Sequence, residues 1–505
     1  MPIINSIVSL LSSKRLKSID DFRKRPFETQ ECILKRLIET AKSTEWGKMH
    51  DFASIGSIET FQQRTSIQDY NQVKPFIERI RSGEQNVLWP TEIRWFAKSS
   101  GTTEDKSKFI PVSNESLEEI HFQGGKDTLT LYTNNYPETG IYSGKGLTLG
   151  GSHQIDKLND KAFTGDLSAI LIENIPFWAD LMRTPSQKVA LIPDFEEKMR
   201  RIAEEAIPLN VTYFAGVPSW NLVLMKYILE HTGKKNLFEV WPNMELFIHG
   251  GVSFTPYREQ YRKLLPSDYM NYMETYNASE GFFALQDDPS SSDMLLMLDY
   301  SIFYEFIPMD RFFDDNVTPL TIADVQTGVN YAIVITTNGG LWRYVIGDTV
   351  EFTSLYPHKI KITGRTKHYI NTFGEEVIID NAEQAVKAAC NATGAIINEY
   401  TAAPIYMGNN GTGGHEWLFE FQKMPANMDA FIDTLDQKLI AINSDYEAKR
   451  YKNITLQRPI VHALKQGVFY QWLKESGKLG GQNKVPRLFN ARDYVEKLLA
   501  INEKL

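Results

Sequence analysis

From about Arg94 onward, short apolar runs alternate with longer helix-like ones, and this alternation limits the chain to a small set of architectures. The clearest case is Val211-Thr212-Tyr213-Phe214-Ala215, which is apolar and short. Gly216-Val217-Pro218 follows and opens a long apolar stretch through Trp220, Leu222, Leu224 and Tyr227. A strand bounded by turn residues and followed by a helix is the natural reading. The pattern predicts an α/β fold with a mostly parallel sheet covered by helices. Ahead of it the chain reads as helical, because Ile33, Leu34, Leu37, Ile38 and Ala41 fall at helix spacing with charged residues between them.

Between Leu295 and Val350 the pattern becomes hairpin-like: residues 331–336 read as a strand, Asn338-Gly339-Gly340 as a turn, and 341–345 as the return strand. After Gly364-Arg365 a smaller block begins. It reads as a helix over about 382–390, strands near 395–400 and 417–421, and an amphipathic helix over 428–442 with Phe431, Leu435 and Leu439 on one stripe. A chain of 505 residues also exceeds what one core usually organises. The expectation is a large multi-layer N-terminal domain over 1–368 and a smaller α+β C-terminal domain over 369–505.

Composition removes several function classes. With 42% apolar and 23% charged residues the chain is an ordinary globular protein and not a disordered one. Fifty-four basic residues stand against 63 acidic ones, a net charge of −9 that does not suit a general nucleic-acid binder. Two distant cysteines, Cys32 and Cys390, form no disulfide framework or CxxC site, and nine histidines show no metal spacing. No apolar run approaches the roughly 18–20 residues that span a bilayer. The apolar N-terminus precedes its charges, Lys14, Arg15 and Lys17, opposite to a secretory signal, and reads as a helix docked on the protein. A cytoplasmic protein without nucleic-acid partners or stable membrane insertion is expected, and the oligomeric state is left open.

The strongest local signal is Ser99-Ser100-Gly101-Thr102-Thr103-Glu104-Asp105-Lys106-Ser107-Lys108, directly after the strand-like run Ile93-Arg94-Trp95-Phe96-Ala97. Polyphosphate needs many donors, little steric bulk and a cation within reach, and this loop offers hydroxyls, amides freed by Gly101, and lysines. It lacks the spacing of a Walker A loop. A solvated Ser/Thr/Gly turn would have the same composition.

The loop resembles the phosphate loop of the adenylate-forming superfamily that includes luciferases and acyl-CoA synthetases, and four further segments follow in that superfamily's order. Phe247-Ile248-His249-Gly250-Gly251 resembles its adenine-side segment, and Glu274-Thr275-Tyr276-Asn277-Ala278-Ser279-Glu280 its aromatic, metal-facing motif. Trp342-Arg343-Tyr344-Val345-Ile346-Gly347-Asp348 resembles the Tyr-Arg-x-Gly-Asp motif, and Gly364-Arg365-Thr366 the segment before the interdomain hinge. The full loop through Pro111, together with Gly216-Val217-Pro218-Ser219-Trp220 and Gly481-Gln482-Asn483-Lys484-Val485-Pro486-Arg487, is similar to the auxin-responsive acyl acid–amido synthetase family, here in a bacterial type. Asp105 stands where that family often has Gly, and Asn277 where plant members carry small residues, which bears on the fine geometry of the site.

The resemblance implies an ATP- and Mg²⁺-dependent ligase that adenylates a small-molecule carboxylic acid and passes the acyl group to an amino acid or amine. Ser99, Ser100, Gly101, Thr102, Thr103 and Lys108 would hold phosphate. Gly251, Tyr276 and Ser279 would contact the nucleotide, with Tyr276 stacking on adenine. Asp348 would accept both ribose hydroxyls, Arg365 would contact ribose or phosphate, and Glu280 would face the metal, as a hard oxygen suits a hard cation. A carboxylate attacking the α-phosphate brings two anions together, so the barrier is largely electrostatic. Lys484 would supply the cation from the small domain. A charge near 4 Å is worth on the order of 4 kcal/mol at an effective dielectric of about 20, or two to three decades of rate. The small domain would then rotate about a hinge near residues 367–368 to admit the nucleophile. Two other readings remain at this stage, an acid–thiol ligase acting on coenzyme A and a nucleotide-binding module without catalysis.

Overall fold

The computed structural model describes residues 2–99, 108–149, 155–251, 254, 258–312, 314, 317–366, 369–375, 377–407, 412–453, 455–475 and 487–505. They form two compact units. The larger comprises Met1–Ser99, Lys108–Gly251 and Leu264–Thr366, and the smaller is built from described residues within Val252–Lys263 and Lys367–Leu505.

The larger unit opens with helices Pro2–Lys24 and Pro26–Ala41. The second buries Ile33, Leu34, Leu37, Ile38 and Ala41, the stripe its spacing predicts. Each of the isoleucine and leucine side chains contributes about 1.5–3 kcal/mol when fully withdrawn from water. Gln30 on the same helix fixes where that stripe lands. Its amide donates to the carbonyls of Leu298 and Ile302 at 2.8 and 2.9 Å, and its oxygen accepts the Tyr304 N–H at 2.8 Å.

The strands of this unit, in chain order, are β1 (Trp95–Ser99), β2 (Lys108–Val112), β3 (Lys145–Thr148), β4 (Asp156–Asn159), β5 (Ala162–Gly165), β6 (Arg183–Thr184), β7 (Val211–Gly216) and β8 (Leu246–Gly250). They continue as β9 (Asn271–Ala278), β10 (Gly281–Leu285), β11 (Met294–Leu296), β12 (Ile302–Pro308), β13 (Asn330–Thr337), β14 (Tyr344–Leu355) and β15 (His358–Arg365). Eleven form one sheet in the order β12-β13-β14-β15-β11-β10-β9-β8-β7-β3-β6, and β2-β1-β5-β4 form a second.

The large sheet is parallel only where helices cross over it. The β3·β6, β3·β7, β7·β8 and β8·β9 pairs are parallel, and every pair from β9·β10 to β12·β13 is antiparallel. The expected mostly parallel sheet is therefore a mixed one. Part of the reason is connection length: a parallel neighbour needs a crossover of a dozen or more residues, and the two-residue link between β9 and β10 permits only antiparallel return.

The hairpin expected around 338–340 forms, with its return strand displaced. β14 begins at Tyr344, three residues later than the apolar run that starts at Leu341. Leu341 and Trp342 are buried off the ladder, and the Trp342 indole N–H donates to the Leu88 carbonyl at 3.0 Å. Apolar character marked them as inward-facing, and packing against residues 87–89 took precedence over pairing.

The smaller unit carries the helix Ile379–Thr393, three further strands β16 (Ile396–Ile405), β17 (Gly414–Lys423) and β18 (Ile460–Leu464) in one sheet, and the helix Met428–Ile442. Phe431, Leu435 and Leu439 are buried on that helix, and Phe431 meets the rings of Phe419 and Phe421 edge-on at 5.3 and 5.5 Å. A separate core lies on the sheet's other face, where Leu418, Val468, Trp472 and Leu498 gather.

Candidate active site

Glu280 sits in a two-residue turn. Ala278 at the end of β9 pairs with Gly281 at the start of β10, so Ser279 and Glu280 alone make the connection. Such a tight turn fixes the direction of both side chains. Glu280 is only 9% exposed, and burial holds its carboxyl above the ordinary glutamate range. The Lys108 and Arg365 charges work against that rise, and the Asp348 charge adds to it. Two carboxylates and two cations therefore share one partly dehydrated region of the larger unit.

The other three arrive on paired strands. Asp348 on β14 lies directly across from Arg365 on β15, and its Oδ1 accepts from Arg365 Nε at 2.7 Å. Its Oδ2 accepts from the Tyr276 hydroxyl at 2.7 Å. Each carboxylate oxygen has two acceptor sites, so among the described residues one remains on each oxygen for a hydroxyl pair. Lys108 opens β2 opposite Ser99, the last residue of β1, so the two ends of the loop they flank face one another. Lys108 is 9% exposed, and its ammonium lies 5.9 Å from the centroid of the Tyr70 ring. The Tyr70 hydroxyl accepts the Phe109 N–H at 2.8 Å, which holds the start of β2 in place.

Tyr276, for which adenine stacking and a core position both stood open, lies in the core of the larger unit. Its ring is 4% exposed and packs on Phe283 at 4.8 Å, so it reaches the site through its hydroxyl. Burial and the neighbouring Asp348 push that phenol far above its usual range, which keeps it a hydrogen-bond donor. Gly250 and Gly251 close the adenine-side segment for steric reasons. A Cβ on Gly250 would lie 2.4 Å from the Thr275 carbonyl, and Gly251 has φ +80°. Asn277 is exposed, and its side-chain oxygen lies beside Gly250.

Ser100, Gly101, Thr102, Thr103, Asp105, residues 367–368 and Lys484 lie outside the described residues. The structure thus brings together Lys108, Tyr276, Glu280, Asp348 and Arg365.

Three features escaped the sequence reading. Arg343 adopts φ +47°, in the left-handed region, and its guanidinium is buried. It bonds both oxygens of Glu305 and donates to the carbonyls of Gln62 and Thr65. This buried pair fastens residues 62–65 to the segment that leads into Asp348. Tyr70, which anchors Lys108, and Tyr344, which is fully buried near Glu280, are the others. Tyr344 stood inside a quoted motif, where its burial was the missing signal.

The donor set suits Mg²⁺ carried in with a nucleotide. Among the described residues no group of three or more His, Cys, Asp or Glu side chains could cage a metal. One buried carboxylate with free acceptor sites is what such an ion uses when phosphate and water complete its shell.

Comparison with known proteins agrees with this architecture. The GH3 family N-terminal domain matches residues 15–270, the GH3 family central domain 295–365, and the GH3 family C-terminal domain 380–493. The chain belongs to the GH3 family. Indole-3-acetic acid-amido synthetase GH3.3 of Arabidopsis thaliana is 22% identical, over 96% of this chain and 93% of its own. Jasmonoyl--L-amino acid synthetase JAR6 of Nicotiana attenuata is 24% identical, over 67% of this chain and 68% of its own. The acyl acid amido synthetase AtGH3.15, solved in complex with 2,4-DB, superposes with a TM-score of 0.62 at 16% identity, covering 96% of this chain and 95% of that one. These named relatives are ligases of the amido synthetase class.

Proposed function

We propose that this chain is an ATP-dependent acyl acid amido synthetase. A substrate carboxylate oxygen attacks the α-phosphorus of ATP, the bond to the β-phosphate oxygen breaks, and pyrophosphate leaves. An amino acid or amine nitrogen then attacks the acyl carbon, AMP leaves, and the displaced proton passes to water. The observation that carries this reading is the largely buried group of Glu280, Lys108 and Asp348 with the half-buried Arg365, in which opposed charges act on one turn.

In this reading Asp348 uses its two remaining acceptor sites for the ribose hydroxyls, with Tyr276 and Arg365 holding the carboxylate in place. Lys108 and the loop residues Ser99, Ser100, Gly101, Thr102 and Thr103 bind phosphate, and Gly251 and Ser279 border the nucleotide. Glu280 presents an oxygen to Mg²⁺, which when bound neutralises phosphate charge. Lys484 is assigned to the charge that builds up on the α-phosphate in the first step, and it must leave before the amine can enter. That exchange is the role given to the segment near residues 367–368. ATP use and two free thiols, Cys32 and Cys390, fit a cytoplasmic enzyme.

Carboxylate-dependent ATP–pyrophosphate exchange over an acid panel tests the first half-reaction. Exchange should require Mg²⁺ and one class of acid, and should fall by two to three decades in Lys484→Ala. Amines and coenzyme A, added separately to the productive mixture, identify the acceptor. Amide product supports the proposal, and thioester product replaces it with an acid–thiol ligase.

A further inference from the structure

We propose that Tyr344 is a positioning residue for Glu280, its hydroxyl donating a hydrogen bond to the Glu280 carboxylate when a metal-bound nucleotide engages that carboxylate. The inference rests on the proposed function, since it concerns the same site.

Tyr344 opens β14, four residues before Asp348. The side chain is 0% exposed, and its hydroxyl oxygen finds no hydrogen-bond partner among the described residues. A buried hydroxyl in that condition has given up its water and received nothing in return, which folded proteins rarely tolerate without a purpose. Its surroundings suggest the missing partner. Of the charges acting on the phenol, Glu280 is the strongest, followed by Tyr70, Asp69 and Arg365.

Glu280 has room for a further donor. Among the described residues no side chain donates to its carboxylate, although it is nearly buried and faces another carboxylate, Asp348. Its own backbone N–H supports the carboxylate, and a side-chain donor would add a second bond. Lys108 and Arg365 offer charge to it, but Arg365 is engaged by Asp348. Tyr344 is also held rigidly. The Gln68 N–H donates to the Arg343 carbonyl and the Val345 N–H to the Gln68 carbonyl, both at 2.9 Å, so the backbone on each side of Tyr344 is clamped. With that backbone fixed, the proposed bond closes by movement of the Glu280 side chain. One carboxylate oxygen is then free to face the metal while the other is fixed by the phenol, an arrangement in which an outer partner orients a metal ligand.

The test is a double-mutant cycle read by calorimetric titration of Mg·ATP into the full chain. Tyr344→Phe removes only the oxygen. It should weaken Mg·ATP binding about tenfold, leave ATP binding in EDTA unchanged, and leave the unfolding temperature equal or higher, because an unpartnered hydroxyl contributes no stability. In a Glu280→Gln background the same substitution should have no further effect on binding. An equal loss in both backgrounds would overturn the proposal, since Tyr344 would then touch the nucleotide directly. Unchanged binding in Tyr344→Phe would remove the role altogether, and a lowered unfolding temperature would reduce it to ordinary core packing. If the wild type itself binds no Mg·ATP, the functional reading fails and this inference with it. Binding by the wild type with no response to Tyr344→Phe overturns this inference alone.

Discussion

Asp348 is gripped from two sides in the structure, by Arg365 through Oδ1 and by the Tyr276 hydroxyl through Oδ2. A charged acceptor makes the second bond worth about 1.5–3 kcal/mol. Tyr276→Phe should therefore raise the KM for ATP roughly tenfold in the exchange assay with little change in kcat, because the carboxylate loses orientation while the reacting atoms are untouched. Glu280 makes a prediction of the opposite kind. Its carboxyl is held above the ordinary range, chiefly by burial. Between the unfolded and folded values the native state binds more protons, so this group removes stability as pH rises through that window. The unfolding temperature of Glu280→Gln, measured relative to wild type, should increase from pH 4 to pH 7. A flat difference would mean that Lys108 fully compensates the buried charge.

Strands and turns determine which of these residues meet. Asp348 and Arg365 are cross-strand partners, Ser99 and Lys108 are cross-strand partners, and Glu280 occupies the shortest turn that can join β9 to β10. The segment between β13 and β14 is where this scheme could slip, since it leaves the ladder and passes through Arg343 in a left-handed conformation. The buried Arg343–Glu305 pair holds it, together with bonds to the Gln62 and Thr65 carbonyls. Removing one member of such a pair leaves an uncompensated charge in the core. Arg343→Ala should cost about 3–5 kcal/mol in urea unfolding, and the double replacement Arg343→Met with Glu305→Leu should recover most of that loss.

Among the described residues of the larger unit, burial holds His121 and His358 neutral. His121 and His358 are each lowered from 6.5 to about 4, mainly by desolvation. Below 6.5 the unfolded chain takes up protons that the folded unit refuses, so stability is lost as pH falls from 6.5 toward 4. Each group accounts for at most roughly 3 kcal/mol of that loss. Urea midpoints should decline across this window, and His121→Gln should flatten part of the decline. His121 lies in a π-helical turn, Leu117–Phe122, within a long helical segment. Its low value makes it a neutral side chain at working pH and unsuited to act as a cation toward an acid substrate.

Much of this protein was legible in the sequence because local rules sufficed. The stripe from Ile33 to Ala41 found its helix, the run at 211–215 its buried strand, and the stripe from Phe431 to Leu439 its helix, since periodicity reports which face meets a core. Asp348, Arg365, Glu280 and Lys108 could be named because the short, ordered segments that carry them resemble the motifs of the adenylate-forming superfamily. Periodicity carries no information about partners far apart in the chain. That the runs before and after β9 share one mixed sheet, that Trp342 leaves its strand for Leu88, and that Tyr276 offers its hydroxyl while its face is covered were decided by packing. Arg343 with Glu305, and Tyr344 with Glu280, become significant only once burial strips away water, because a charge or hydroxyl that looks ordinary in the sequence then needs a partner that only the tertiary structure can supply.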